Sequence, residues 1–438
     1  ETYGHVSNGM ICSERELGLG DDHAGIIVLP EGTAKAGADA SQILGVGDDV
    51  LDIAITPDRG YALSLRGIGR EVAIGVLALA ECLQREEVES VRRATVRTIE
   101  APSRAVNWLV KDTDELSDTI HQAFHVARAG RPGPVLVDIP KDVQFASADY
   151  VGPKQVDNGH YAPRVKGDMD AITELAEALE TAKRPVFYTG GGVINSGTAA
   201  SQLLRELVEA TGFPITSTLM GLGAYPASGD KWLGMLGMHG LYEANMAMHD
   251  CDLMINIGAR FDDRITGRID AFSPKSKKAH IDIDPSSINK VIRVDIPIVG
   301  DVGHVLEDLL KVWKARGRKT DKAALSKWWK QIEEWKKVDC LSFKQDGPTI
   351  KPQYALQRLE ELTKGHDRYI CTEVGQHQMW AAQYLGFDDP NRWMTSGGLG
   401  TMGYGFPASI GVQMAHPDAL VINVAVEASW LMNMQEMG

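Results

Sequence analysis

The apolar and polar positions of this chain alternate in two distinct periods. In the string DTDELSDTIHQAFHVARAG, Leu116, Ile120, Ala123, Phe124 and Ala127 recur at helical spacing, with Asp112 or Thr113 placed as N-cap and Gly130 just past the end. GRPGPVLVDIPKDV then reads as a strand bounded by prolines. From 160 to 315 the two periods alternate. A helix over 169–181 leads into a strand over 185–188 that ends in Gly190, Gly191 and Gly192, and later apolar runs also end in glycine or acid. That alternation predicts a doubly wound parallel sheet. The basic, tryptophan-rich stretch 311–350 predicts a linking helix, with two of Trp328, Trp329 and Trp335 on one face and lysines on the other. A helix over 353–363, a strand over 369–372 and a glycine-dense loop (Gly397, Gly398, Gly400, Gly403, Gly405) follow. The loop runs into an apolar helix near Pro407 and then the β-branched run 420–424, which has the character of a buried parallel strand. Only the first 80 residues read differently, with short strand-like runs at 25–29 and 50–55 between Gly and Pro.

Composition narrows the class. A length of 438 residues suggests about three domains. Apolar residues at 44% and charged residues at 24% are ordinary for a globular chain. The net charge of −14 disfavours nucleic acid and anionic membranes as partners of the whole molecule. Five cysteines are scattered without CxxC spacing, which predicts neither a zinc site nor a disulfide framework and favours a reducing cytoplasm. No run reads as a membrane span or signal peptide. The chain opens on Glu1 rather than Met, which raises the expectation of a fragment.

Chemistry enters through the last 40 or so residues. Glu427 stands immediately past the strand 420–424, where α/β folds place ligands. A carboxylate there suits a hard cation bridging a diphosphate, and the preceding glycines let backbone N–H groups approach phosphate. With VGQHQMWAAQ upstream, this stretch resembles the diphosphate-binding half of thiamin-diphosphate enzymes, and in particular the catalytic subunits of acetolactate (acetohydroxyacid) synthases. The resemblance runs from about 106 to 438. It implies an α/β fold of the thiamin-diphosphate enzyme type: an incomplete pyrimidine-binding domain (106–150), a central FAD-binding domain (160–315), a linking helix (316–350) and an incomplete diphosphate-binding domain (351–438).

The site residues follow from that resemblance, position by position. Gln376 and His377 fall near the cofactor diphosphate, with Gly400 in the glycine loop. Met402, in GTMG, matches the apolar wedge that bends the coenzyme until its own amine lies against the thiazolium C2. An amine held that close is a base at high effective concentration. Glu427 is the expected Mg²⁺ ligand. The flavin is expected against Arg131, the glycines at 190–192, Met238, His239, Gly240, Gly258, Arg260, Asp282 and Asp301. In this family the flavin is structural, so it implies no redox turnover. The implied reaction joins two 2-oxoacids, pyruvate with pyruvate or 2-oxobutyrate, toward branched-chain amino acids. The implied assembly is a homo-oligomer with a regulatory small subunit.

The match has departures. Residues 3–80 (YGHVSNGMICSERELGLGDDHAGIIVLPEG, then GDDVLDIAITPDRGYALSLRGIGREVA) resemble the β subunit of bacterial phenylalanyl-tRNA synthetase instead, with a junction over 81–105. There Asp52, Asp58 and Arg59 flank a turn rather than mark a metal site. The segment replaces the part of the pyrimidine domain whose glutamate protonates the ring. The family's GDG triplet reads Val426, Glu427, Ala428, putting a β-branched side chain where glycine allows phosphate approach or an unusual φ. The chain also ends before the asparagine that completes the cation site. A chimeric carboligase with weak or no activity is therefore expected. The alternatives are a tRNA-binding or scaffold fragment, resting on 3–80 alone, and a thiamin-dependent decarboxylase or oxidase, against which QHQMW and GARFDDR speak.

Overall fold

The computed structural model describes residues 106–133, 135–150, 163–317 and 319–437. The chain divides into two units, 1–101 and 102–438. The expected short strands, the turn at 56–58 and most of the junction belong to the first unit and lie outside the described residues.

The second unit begins with β1 (Val106–Leu109), α1 (Leu116–Arg128) and β2 (Val135–Asp138), the two strands pairing in parallel. Asp112 accepts from the Asp114 N–H at 3.1 Å and so caps a single 3₁₀ turn, Thr113–Glu115, that precedes α1. The helix packs on β2 with Ala123 and Val126 inside, while Phe124 of the predicted apolar stripe stays 68% exposed. Thus only part of that stripe is buried by the described residues.

The middle layer contains α2 (Met169–Thr181), β3 (Pro185–Thr189), α3 (Gly191–Asn195), α4 (Thr198–Thr211), β4 (Ile215–Ser217), β5 (Trp232–Met235), α5 (Tyr242–Asp250), β6 (Leu253–Ile257), β7 (Lys277–Asp282), β8 (Ile296–Val299) and α6 (Val302–Ala315). Its six strands are all parallel, in the order β5-β4-β3-β6-β7-β8. Every residue of β3 and β6 is buried, as a sheet covered on both faces requires. Asp168 caps α2 by accepting from Asp170 and Ala171, and Ile172, Leu175, Ala176 and Leu179 form its inward face. That face packs with Leu204, Leu207, Leu309 and Trp313 in one core. α7 (Lys322–Lys336) covers the opposite side: Trp328 Nε1 donates to the Pro185 carbonyl at 3.0 Å, Trp329 Nε1 to that of Gly212 at 3.0 Å, and Trp335 sits edge-on to Trp328. All three tryptophans are therefore occupied in packing against the middle layer, and α7 is more than a link.

The carboxyl-terminal layer is α8 (Pro352–Thr363), β9 (Arg368–Thr372), α9 (Gln376–Tyr384), β10 (Trp393–Met394), α10 (Gly405–Ala415), β11 (Leu420–Val424) and α11 (Glu427–Leu431). Its parallel order is β10-β9-β11. Leu222 and Met235 of the middle layer share a core with Leu356, Ile370, Ala381, Phe387 and Trp393, which joins the two layers. β11 was expected to be fully buried. It is the edge of its sheet, and Leu420 is 37% exposed with the rest half-buried. A run of β-branched residues states strand propensity, while burial depends on what lies beside the strand.

Cysteine reactivity follows from this packing. Burial pushes the Cys251 thiol up to about 11 and the Cys371 thiol up to about 12, whereas Cys340 is exposed. At neutral pH Cys340 is expected to alkylate rapidly while Cys251 and Cys371 react only on unfolding. Peptide mapping after brief iodoacetamide treatment reads this directly, and fast labelling at Cys371 would contradict the packing described.

Candidate functional site

Two switch points of strand order open toward the carboxyl ends of parallel strands, the places where such sheets receive ligands. The first lies between β3 and β6. A Cβ on Gly190 would stand 2.5 Å from the Gly258 carbonyl oxygen, and one on Gly192 would stand 2.6 Å from the Gly258 Cα. Gly258 itself has φ +68°. These glycines are required because the two loops cross backbone against backbone, a closer reason than ligand approach. Around them, Met238 is 62% exposed, the His239 side chain is exposed, and its carbonyl accepts from Gln383 Nε2 at 2.8 Å. Gly240 sits in a tight turn against Met235 and Leu236.

The charged residues of this crevice divide by what already holds them. Arg260 pairs with Asp262, and Arg131 lies 3.5 Å from Asp284. Asp282 is buried and accepts from the Asp284 N–H at 2.8 Å. Asp301 caps α6 through Gly303 and His304 and also accepts from the Ser196 hydroxyl at 2.8 Å, so its carboxylate is committed within the fold. Exposed Met238 and half-exposed Arg131 remain available to cover a flat, partly anionic ligand.

The second switch point lies between β9 and β11. Glu373, the first residue past β9, is 1% exposed. It accepts from His377 Nε2 at 2.9 Å and from the Gly405 N–H at 3.2 Å. His377 is buried in the first turn of α9, Gln376 beside it is exposed, and the Gln378 amide donates to the Thr395 hydroxyl at 2.7 Å. The glycine loop closes over this rim. Gly400 has φ +72° and lies against Val374, while Gly403, at φ +81°, packs on Ser429 and Met432 and accepts from Asn433. Met402 between them is 39% exposed.

Glu427 lies just past the carboxyl end of β11. It is exposed at the first position of α11 and lines a hollow of about 500 Å³ with Asn423, Ala425, Val426 and Phe406. Gln376, His377 and Met402 do not line that hollow. The expected diphosphate residues and the expected cation ligand therefore do not line one common hollow. Val426 has φ −99°, an extended conformation open to any residue, so the expected need for an unusual φ is not present there. Its side chain still projects into the hollow where glycine would leave room.

Of the unpartnered atoms at the rim, the Ser429 hydroxyl can donate to a diphosphate oxygen, whereas Asn423 Oδ1 can only accept and suits a cation. The buried His377 Nδ1 has no hydrogen-bond partner, and neither do Asn423 Oδ1 and Ser429 Oγ. Groups buried this way cost free energy until something meets them. For a divalent cation, the hard oxygens on the page are Glu427 and Asn423. Among the described residues there is no group of three or more His, Cys, Asp and Glu side chains placed to hold a metal, so phosphate oxygens would have to complete the shell.

Residues 172–309 match the thiamine pyrophosphate enzyme central domain, and residues 373–438 match the C-terminal TPP binding domain. Both models describe domains of thiamine pyrophosphate enzymes. The second match begins at Glu373, so it takes in the whole rim just described. Over 333 residues, 76% of this chain and 58% of the relative, the sequence is 46% identical to the acetolactate synthase isozyme 3 large subunit of Escherichia coli. It is 44% identical over 333 residues to the acetolactate synthase large subunit of Haemophilus influenzae and 43% over 335 residues to the chloroplastic acetolactate synthase 3 of Brassica napus. The chain spans between 50% and 58% of the length of these relatives. None of these similarities supports the synthetase resemblance of 3–80.

Sequence reasoning missed Glu373, Asn423 and Ser429 at the thiamine pyrophosphate domain's rim. For Glu373 the signal existed: it is an acid directly past the strand 369–372, the same position that singled out Glu427. Asn423 and Ser429 are unremarkable until the glycine loop is seen folded over them.

Proposed function

We propose that this chain is the core of a thiamin-diphosphate-dependent carboligase of the acetolactate synthase type, joining two 2-oxoacids such as pyruvate with pyruvate or 2-oxobutyrate. The observation that carries the reading is the β9–β11 rim, where the His377 ring nitrogen and the Asn423 and Ser429 oxygens are buried without partners beside a glycine loop. Its family context is the 46% identity to an acetolactate synthase large subunit. In this reading Gln376, His377 and Gly400 hold the diphosphate, Glu427 and Asn423 serve Mg²⁺, and Met402 supports the bent coenzyme. Bound thiamin diphosphate supplies the carbanion chemistry; the chain's part is to orient it and keep the site dry. FAD occupies the β3–β6 crevice as a structural group against Arg131, Met238, His239 and Arg260, with Asp282 and Asp301 firming its walls.

The domain assignment accompanies that function: 106–150 as the end of a pyrimidine-binding domain, 160–315 as the flavin domain and 351–438 as the diphosphate domain. The setting is the cytoplasm, with a second copy and a regulatory small subunit as partners. Among the described residues no helix is long and apolar enough to cross a membrane.

Activity is expected to be low, because the Val426 side chain stands at the rim and Glu427 reaches one methylene further than aspartate. The test is acetolactate formation from pyruvate with thiamin diphosphate, Mg²⁺ and FAD, for the chain as it stands and for Val426→Gly. The substitution is expected to raise cofactor affinity about tenfold, the scale of one relieved contact of about 1.4 kcal/mol. Acetolactate formation at rates ordinary for an unimpaired enzyme (tens per second) would refute the impairment. A chain that binds neither cofactor would refute the whole reading.

A further inference from the structure

The rim holds a buried acid–histidine pair whose geometry does more than seat one side chain. The His377 side chain is 8% exposed and that of Glu373 is 1% exposed. A carboxylate can only accept, so with His377 Nε2 at 2.9 Å from Glu373 Oε1 the ring proton sits on Nε2. The other ring nitrogen, Nδ1, is buried and unpartnered. A Cβ on Gly375 would stand 2.7 Å from it, so that edge of the ring lies over the N-cap of the nine-residue α9. The first N–H bonded back to Gly375 is that of Gln378, which leaves the N–H groups of Gln376 and His377 at the open end of the helix. Helix end and ring nitrogen therefore lie close together; the helix end favours an anion, and the ring does so only where Nδ1 carries a proton.

We propose that Glu373 is a positioning residue for phosphate binding: it fixes the His377 ring and its tautomer so that Nδ1 takes up a proton and donates to a phosphate oxygen seated on the α9 N-terminus. The role rests on the reading that this rim holds the cofactor's diphosphate. A neutral ring bonded to Glu373 through Nε2–H shows only a lone pair at Nδ1, which an anion would avoid. The second ring proton arrives with the phosphate, and the carboxylate on the far side of the ring balances the resulting charge. The elements packed on α9 are α8, β5 and β11. β5 and β11 carry no titratable side chain, and on α8 Arg358 pairs with Glu361 and Glu360 with Arg368. Glu373 is the charged partner recorded for this ring. Its second oxygen accepts from Gly405, so the same carboxylate ties the ring to the start of α10.

The test uses the full chain, titrated separately with inorganic pyrophosphate and with thiamin diphosphate and followed by tryptophan fluorescence. In parallel, the His377 ring nitrogens are read by NMR on ¹⁵N-histidine-labelled protein. In the unmodified chain, pyrophosphate is expected to move Nδ1 from the unprotonated to the protonated range. Glu373→Gln keeps an acceptor for Gly405 but not the charge; it is expected to lose that signature and weaken both ligands about tenfold. His377→Ala removes the ring and is expected to weaken both ligands about tenfold. Adding Glu373→Gln to His377→Ala is expected to weaken them no further. If Glu373→Gln binds both ligands like the unmodified chain and keeps the Nδ1 signature, or weakens His377→Ala as much as it weakens the original, the positioning role is wrong. If the unmodified chain binds neither ligand, the cofactor reading itself fails and takes this role with it.

Discussion

Gly258→Val is expected to destabilise the middle layer by about 2–5 kcal/mol and, on the proposed flavin reading, to abolish flavin retention. Two costs combine. Residue 258 has φ +68°, a region that costs an L-residue about 1–2 kcal/mol and a β-branched one more. The new Cβ would also stand 2.7 Å from the Gly192 Cα and 3.0 Å from the Val193 nitrogen, both backbone atoms with no room to retreat. Overpacking of that kind adds about 1–3 kcal/mol. The loops after β3 and β6 would have to part, which removes the crevice floor. Thermal unfolding together with the flavin absorbance of the purified protein measures both effects. A variant that keeps its flavin and melts with the unmodified protein would show that the backbone crossing is not required.

Trp313→Ala comes next in size. Trp313 is fully buried at the end of α6, in the core that also contains Leu175, Leu204 and Leu309. Removing it forfeits its transfer free energy and leaves a large cavity, at a cost of about 3–5 kcal/mol. For a domain of this size that lowers the midpoint by roughly 10 °C. Because Trp313 lies at the opposite end of α6 from its cap Asp301, cofactor affinity at temperatures where the variant is folded is expected to be unchanged. A melting point within about 2 °C of the original would mean that the site collapses around the cavity at small cost.

The layers were legible in the sequence for definable reasons. Helices such as α2 carry Asp168 as cap and a strict apolar stripe, and strands such as β3 and β6 are uninterrupted apolar runs, so period and punctuation both point one way. Less legible were elements whose burial depends on neighbours distant in sequence. Phe124 fits its helical stripe yet faces outward, and Leu420 belongs to a strand of core-like composition that lies at a sheet edge. The tryptophans of α7 looked like a linker's; each indole of Trp328 and Trp329 is instead bonded to a carbonyl more than 100 residues away.

The candidate site shows the same division. Resemblance to thiamin-diphosphate enzymes named Gln376, His377, Gly400 and Met402, and the position just past a strand drew attention to Glu427. The chain fold then decided which of them share a space. It buries Glu373 against His377, closes Gly403 over Ser429, and turns Glu427 into a hollow with Asn423. It also shows that the glycines at 190, 192 and 258 answer first to one another.

By itself, then, the sequence determined most of the strands and helices, since propensity, capping and glycine placement act within a few residues. Only the tertiary structure decided which nitrogen of His377 is free, which acid holds it and which carboxylate already serves as a helix cap. Those depend on atoms brought within about 3 Å of each other by the path of the backbone, as where Glu373 meets both His377 and the distant Gly405.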